Sequence, residues 1–296
     1  MNPQVTIGVC VRNCESTVLE TVKSIIVQDY PHELLEVIVV DGYSNDRTVQ
    51  IIKRVLMNSD IKSYIFYENK GLGFARQIVV DNARGKYIIW VDGDMILPKE
   101  FVKTQVEFME KNPEVGIAKG RYGFFNEDSL VATLEDIDFM TTFNFESKKV
   151  PDVLGASGAI YRVEAVKEVG GFDENITGVG EDMDIEYKIR AAGWGLSISP
   201  ARFYERRRKT WQALWREYFW HGKGGFHIYR KKLRAFRKLP FSVIFHKCIQ
   251  SVYAYRLTYT KKAFLLPMHY IFKRTAWIGG FLAEFMKIIF EELKSR

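Results

Sequence analysis

The sequence predicts an α/β fold, a mixed and mainly parallel sheet flanked by helices, with a helical C-terminal extension. Apolar runs of strand length alternate with helix-like segments through the first third of the chain, which calls for right-handed βαβ units. Those runs lack polar alternation, as strands buried on both faces do. The run Tyr87-Ile88-Ile89-Trp90-Val91 ends abruptly in Asp92-Gly93-Asp94, placing two carboxylates at a strand's carboxyl end, where open α/β sheets bind ligands.

Val5 to Val11 reads as the first strand, and Thr17-Val18-Leu19-Glu20 as a capping box opening the next helix. Leu35 to Asp41 is the second strand, after which Ser44-Asn45-Asp46 can cap a helix through Met57. Ile61 to Tyr67 is the third strand, Gly73 to Ala83 a helix and Tyr87 to Val91 the fourth strand. From about residue 115 the alternation becomes irregular. Ala159 to Arg162 reads as a strand, Val163 to Val169 as a helix, and Gly170-Gly171-Phe172-Asp173 as a turn. Glu181 to Ala192 reads as a helix whose acidic first turn suits the positive end of the helix dipole. Beyond Leu239, the apolar stretch Ala263 to Phe272 is broken by Lys273-Arg274, and Thr275 to Phe290 by Glu284 and Lys287. A bilayer span needs about 20 apolar residues, so helices lying in the interface or packed on the rest of the chain are expected.

Asp92 and Asp94 repel one another unless a cation neutralises them, which makes a hard divalent metal carrying phosphate oxygens the natural occupant. Two other Asp-x-Asp triplets occur. Asp136-Ile137-Asp138 follows no buried strand and reads as solvated acids on a helix or loop, while Asp182-Met183-Asp184 belongs to the acidic helix start.

With 47% hydrophobic and 27% charged residues in 296, the composition is that of an ordinary globular protein. Cys10, Cys14 and Cys248 have no paired metal-type spacing, so a reducing compartment without disulfides is expected. Met1-Asn2-Pro3-Gln4 leads straight into the first strand, so no secretory signal is expected. The net charge of +7 is unevenly placed, with thirteen Lys/Arg against Glu205 and Glu217 between Arg202 and Lys238. That segment calls for an anionic partner. A dinucleotide fold is excluded because Cys10-Val11-Arg12-Asn13-Cys14 occupies the turn that needs glycines, and no Walker-type Gly-Lys-Ser/Thr occurs. Of the five histidines, those at 221, 227, 246 and 269 have no metal-ligand spacing among themselves and are assigned no catalytic role.

Four ordered blocks over residues 4–225 carry a resemblance: Val9 to Asn13; Val39-Val40-Asp41-Gly42-Tyr43-Ser44-Asn45-Asp46-Arg47-Thr48; Asn69-Lys70-Gly71 through Asp92-Gly93-Asp94; and Gly170-Gly171-Phe172-Asp173 with Gly180-Glu181-Asp182. In these the chain resembles the family-2 glycosyltransferases of the GT-A fold, inverting enzymes that move a sugar from a nucleoside-diphosphate donor. The resemblance implies that Asp41 binds the nucleotide base, bordered by backbone near Val11 and Asn13, and that Arg76 approaches the diphosphate or donor sugar. It implies Asp92 near the ribose and donor, Asp94 on a Mg²⁺ or Mn²⁺, and Asp182 as catalytic base helped by Glu181. Where the family usually has a metal-binding His, Phe203-Tyr204-Glu205-Arg206 places Glu205, which also suits a hard cation. The second block has Gly42 where many members have another acid.

Residues 1–225 are then expected to form the catalytic domain, and residues 226–296 a basic, amphipathic, membrane-interfacial region. Arg206-Arg207-Arg208-Lys209, Trp211, Trp215 and Trp220 read either as a solvated helix face with core tryptophans or as an acceptor site at a membrane surface, with Arg206, Arg207 and Trp211 contacting acceptor phosphate. Aromatic belts and about 1 kcal/mol per cation near anionic lipid favour the second. The expected partners are a UDP- or GDP-linked sugar, a lipid-linked acceptor such as a polyprenyl-phosphate or lipid-linked glycan, and the cytoplasmic face of the cell membrane, bound peripherally. No nucleic-acid motif is present. Alternatives are a soluble transferase extending a polysaccharide or protein-linked glycan, and a non-catalytic polyanion-binding protein. Processive polymerisation is disfavoured, because Gln212-Ala213-Leu214-Trp215-Arg216 reverses the tryptophan and arginine of the Gln-x-x-Arg-Trp signature.

Overall fold

A computed structural model describes residues 3–125, 128–143, 151, 153–176, 178–231 and 240–294. The chain divides into two compact units. The first comprises Met1–Gly123, Glu146–Thr177 and Glu181–Arg206, the second Phe124–Phe145, Gly178–Gly180 and Arg207–Arg296.

The first unit is built on an eight-stranded sheet of strands β1 (Val5–Val11), β2 (Leu35–Asp41), β3 (Lys62–Tyr67), β4 (Tyr87–Trp90), β5 (Met95–Ile96), β6 (Val115–Tyr122), β7 (Ala159–Arg162) and β8 (Gly195–Glu205), in the order β3-β2-β1-β4-β7-β6-β8-β5. The first four strands run parallel, β7 pairs antiparallel with both β4 and β6, and β6 and β8 are again parallel. The chain reverses its order of addition between β1 and β4, so their carboxyl ends flank a crevice of the kind that takes ligands. Tyr87 through Trp90 are fully buried, as their unbroken apolar run requires. Trp90 meets Tyr161 and Phe172 edge-on at 6.1 and 5.4 Å, pairs worth about 0.5–1.5 kcal/mol beyond their buried area.

Helices α1 (Val18–Ile26), α2 (Thr48–Leu56), α3 (Leu72–Asn82), α4 (Phe101–Lys111), α6 (Val163–Glu168) and α7 (Glu181–Ala191) belong to this unit, and α5 (Leu130–Phe143) to the other. The capping box expected at Thr17 does not form. The Thr17 hydroxyl donates to the Gly93 carbonyl at 2.7 Å, tying α1 to the Asp92–Asp94 loop, and Glu20 pairs with Arg206 at 3.0 Å. A long-range partner has overridden the local signature. Asp46 does cap α2, accepting from the Thr48 N–H at 2.9 Å.

The second unit is helical: α5, α8 (Trp211–Arg230), α9 (Pro240–Thr258), a 3-10 turn at Lys261–Leu265 and α10 (Leu266–Lys294). Leu134, Ile137, Ala254, Ala263 and Leu266 form its core, with Phe124, Trp211 and Tyr255 packed around them. Helices α8 and α10 touch backbone to backbone. A Cβ on Gly222 would lie 1.9 Å from the Trp277 carbonyl oxygen and one on Gly280 1.8 Å from that of Phe219, so only glycine permits the crossing. The two apolar stretches fall mostly on one helix: α10 passes through Lys273, whose side chain turns inward, 2.6 Å from Glu135 Oε1 and 2.7 Å from Asp138 Oδ2.

The acids of α5 correct the sequence reading. Asp136 and Asp138 are not solvated but buried. Arg207 pairs with Asp136 at 3.1 Å, and Lys247 joins Lys273 on Asp138. These cations lie 71 to 135 residues further along the chain, beyond the reach of local reading. Among the described residues no helix is long and apolar enough to cross a membrane. The basic residues Lys232, Arg234, Arg237 and Lys238 lie outside the described residues.

Candidate active site

The site residues of the first unit gather at the carboxyl ends of β1, β2 and β4. Val11 pairs with Asp41 across the ladder, and the Gly42 N–H donates to the Val11 carbonyl at 2.8 Å. Asp41 is buried and accepts both the N–H and the hydroxyl of Ser44, at 2.8 and 2.5 Å. Asn13, at φ +51°, donates its N–H to the Ser44 hydroxyl at 2.9 Å and accepts from the Asn45 N–H at 2.9 Å. This stitching joins the first and second motif blocks. Tyr43, at φ +53° and 62% exposed, stands 5.9 Å from Tyr67 at the open side of that turn.

Arg76 of α3 is buried behind these loops. Its Nε donates to Glu181 Oε1 at 2.9 Å, its Nη2 lies 3.7 Å from Asp92 Oδ1, and its guanidinium stacks 4.9 Å over the Trp90 ring. It therefore clamps the end of β4 to the start of α7, and the two acids hold its charge firmly in place against burial. Asp92 also accepts the Ser157 hydroxyl. Asp94 sits one turn further on, on a loop whose Gly93 leaves no room for a side chain, since a Cβ there would meet the Cys14 sulfur at 2.6 Å.

Across β5 and β8, Met95 pairs with Glu205, and the Arg206 N–H donates to the Asp94 carbonyl at 2.8 Å, so the ladder brings Glu205 beside the Asp94 loop. Asp92, Asp94, Asp182 and Glu205 are half-buried and reachable from solvent, whereas Glu181 and Glu186 are enclosed behind them. Burial, then the charge of Asp182, pushes Glu181 up to about 8 despite Arg76, and the same two causes push Glu186 up to about 7. Against these acids stand two buried cations, Arg76 and Lys119. Burial pulls Lys119 down to about 8, although Glu205, Asp92, Glu186 and Asp182 all favour its charge. Carboxylate oxygens are the hard ligands a divalent metal takes, so the donor chemistry of Asp94 and Glu205 suits such an ion.

Lys119, Glu186, Gly155 and Ser157 were not foreseen from the sequence. Glu186 accepts the N–H groups of Leu154 and Gly155 at 2.9 and 2.6 Å, fixing the loop that carries Ser157 to Asp92. Lys119 donates to the Gly155 carbonyl at 3.3 Å. The one available signal was the spacing of Glu186 four residues after Asp182, on the same helix face. Arg206 lies in the first unit on Glu20; Arg207 and Trp211 lie in the second, Arg207 on Asp136 and over the Phe139 ring at 4.1 Å, Trp211 against Phe272 at 4.8 Å.

A mixed sheet of this order with half-open acids at its strand ends defines a glycosyltransferase of GT-A-like fold. The chain belongs to the family described as Glycosyl transferase family 2, which matches residues 6–170. Among solved structures it is similar to the mannosyltransferase PcManGT from Pyrobaculum calidifontis in complex with GDP-Man and Mn²⁺, with a TM-score of 0.63 and 19% identity over 100% of this chain and 81% of that one. It is similar also to S. aureus TarS 1-349 in complex with UDP-GlcNAc, with a TM-score of 0.56 and 17% identity over 94% and 89% of the two chains. Poly-beta-1,6-N-acetyl-D-glucosamine synthase of Staphylococcus epidermidis is 23% identical over 223 residues, 73% of this chain and 53% of its own length. The chain thus spans about half the length of the curated relatives it matches.

Proposed function

We propose that this glycosyltransferase inverts the anomeric centre of a nucleoside-diphosphate sugar, UDP- or GDP-linked, and passes the sugar to a lipid-linked acceptor at the cytoplasmic face of a membrane, bound peripherally. The observation that carries the chemistry is the division of the acids into half-open and enclosed sets. Asp41, with the Val11 and Asn13 backbone, borders the base. Asp92 faces the ribose and donor, and Asp94 with Glu205 would hold Mg²⁺ or Mn²⁺. When bound, that ion stabilises negative charge on the leaving diphosphate.

Asp182 takes the proton from an acceptor hydroxyl as its oxygen bonds to the anomeric carbon and the bond to the β-phosphate oxygen breaks, its electron pair leaving with the diphosphate. General-base help of this kind contributes about 10²–10⁴-fold. Glu181 anchors Arg76, and through it the orientation of Asp92 relative to Asp182. An acceptor phosphate, already ionised, needs Asp182 less and positive charge more; Arg206 and Arg207 are the candidates to supply that charge, with Trp211 a candidate contact to the phosphate.

Calorimetric titration with UDP, GDP and their sugar conjugates, with Mn²⁺ or Mg²⁺, tests the reading. Metal-dependent binding of one nucleotide, lost in Asp94→Ala, is expected; absence of binding to all of them defeats it. The relatedness to a poly-N-acetylglucosamine synthase favours a second reading, extension of a polysaccharide. Incubation with labelled donor separates the two, one giving a lipid-extractable product and the other a water-soluble polymer.

A further inference from the structure

The second unit contains a cavity of about 220 Å³ lined by Asp138, Lys247, Tyr270, Lys273, Arg274 and Trp277. Its charges are unevenly matched. Lys247 and Lys273 are engaged with Asp138, and Lys273 also with Glu135. Arg274 is half-buried, lies 4.5 Å over the Trp277 ring, and makes no ion pair with a carboxylate among the described residues. A guanidinium partly removed from water without a counter-ion favours an incoming anion, and its planar fork matches phosphate oxygens.

What flanks the cavity specifies where that phosphate comes from. Ile271, Ile278, Leu282, Phe285 and Ile289 are all exposed and follow one another along one side of α10. Eighteen residues separate the first from the last, a stripe of about 27 Å at the helical rise. At roughly 3.6 residues per turn, Arg274 stands between this stripe and the Tyr270–Trp277 row that lines the cavity. Between Pro240 and Phe290 there are seven Lys/Arg and a single acid, Glu284. Arg256, Lys261 and Lys262 likewise make no ion pair with a carboxylate among the described residues. An exposed apolar stripe with Arg274 at its edge, on a stretch of chain whose charge is mostly basic, is complementary to an anionic bilayer surface.

We infer that α10 lies in the plane of an anionic bilayer and that Arg274 with Lys247, framed by Tyr270 and Trp277, takes the phosphate of a lipid headgroup. The inference deepens the proposed membrane-face function and rests on it. The site is separate from the carboxylate site of the first unit and makes no demand on the donor.

The full chain is sedimented with vesicles of phosphatidylcholine alone and of phosphatidylcholine containing phosphatidic acid. Preferential binding to the second is expected, weakened roughly fivefold by Arg274→Gln, the loss of one cation near an anionic surface. Ile278→Asn, on the stripe, is expected to weaken binding to both vesicles, and Arg54→Gln on α2, an exposed cation of the first unit, to change neither. Equal partition of the wild type and Arg274→Gln overturns the inference. So does protection of the wild type by millimolar glycerol phosphate in solution with no vesicle binding, which would make free phosphate the ligand. Donor binding by the wild type is measured on the same preparation: its loss defeats the transferase reading of the first unit, whereas intact donor binding with unselective vesicle partition defeats only this inference.

Discussion

Each unit encloses a group of carboxylates, and the two groups are electrostatic opposites. In the second, burial works against the charged Glu135, but Lys273 and His269 more than offset it and carry its carboxyl down to about 2; Lys273 and Lys247 hold Asp138 low in the same way. In the first, burial and Asp182 push Glu181 and Glu186 up to about 8 and 7. Geometry alone would mislead. Glu135, Asp138 and His269 present ligand atoms within 4.8 Å of one another, as a metal site does, yet the Lys273 ammonium already bridges the two acids. An enclosed cluster bridged by its own lysines is structural, whereas the acids of the first unit include half-buried carboxylates at the strand ends.

The largest effects should separate chemistry from stability. Asp182→Asn is expected to slow transfer to a hydroxyl acceptor by about 10²–10⁴-fold while nucleotide affinity stays, as steady-state rates and calorimetry would show; affinity lost in parallel with rate would remove Asp182 from the role of base. Lys273→Met leaves Glu135 and Asp138 without their shared cation and should cost about 3–5 kcal/mol in denaturant unfolding, with donor affinity kept. A metal measurement then sharpens the contrast. Mn²⁺ at a hundred times its Kd should stabilise the wild type by about 2.7 kcal/mol, an effect abolished by Asp94→Ala and kept by Asp138→Asn. The reverse pattern would move the metal to the second unit.

The two clusters should also respond to pH in opposite directions. Glu135 has a folded value of about 2, below its ordinary range, so its contribution is complete above about 4.5 and is lost as the pH falls toward 2. Glu181 has a folded value of about 8, above its ordinary range, so its contribution is complete below about 4.5 and is lost as the pH rises through 8. Without metal, amide exchange should therefore quicken in α5 on acidification and in α7 on alkalinisation, after correction for the intrinsic exchange rate. Parallel responses in both helices would show that the clusters are not opposites.

Much of this contrast could be read from the sequence, and its failures have one cause. The strands announced themselves because a doubly buried strand has to be continuously apolar, and Asp92 and Asp94 stood out by ending such a run. Asp136 and Asp138 were misread because their solvation depends on Arg207, Lys247 and Lys273, which only tertiary packing brings near. Glu20 was misread for the same reason, its partner being Arg206 and not the helix N-terminus. Lys119 gave no sign at all: within β6 it looks like an ordinary strand lysine, and the acids around it come from the loop after β4, from α7 and from β8.

Gly155→Ala carries the smallest expected effect. Gly155 has φ +74°, a conformation that costs an L-residue about 1–2 kcal/mol. Space is not the obstacle, because an added Cβ would lie 3.5 Å from Asp182 Oδ2 and 3.7 Å from Lys119 Nζ, ordinary contacts. The strain would be released by turning the loop, and the loop is tied on one side to Glu186 through the Leu154 and Gly155 N–H groups and on the other to Asp92 through Ser157. Gly155→Ala should therefore lower stability by no more than about 1–2 kcal/mol while reducing turnover through misplacement of Asp92. The counterpart in the second unit, Gly222→Ala, drives a methyl into the Trp277 carbonyl and should separate α8 from α10 without altering donor binding. A Gly155→Ala variant with full turnover and only the stability loss would show that the 153–157 loop supports the fold of the first unit and does not set the geometry of its acids.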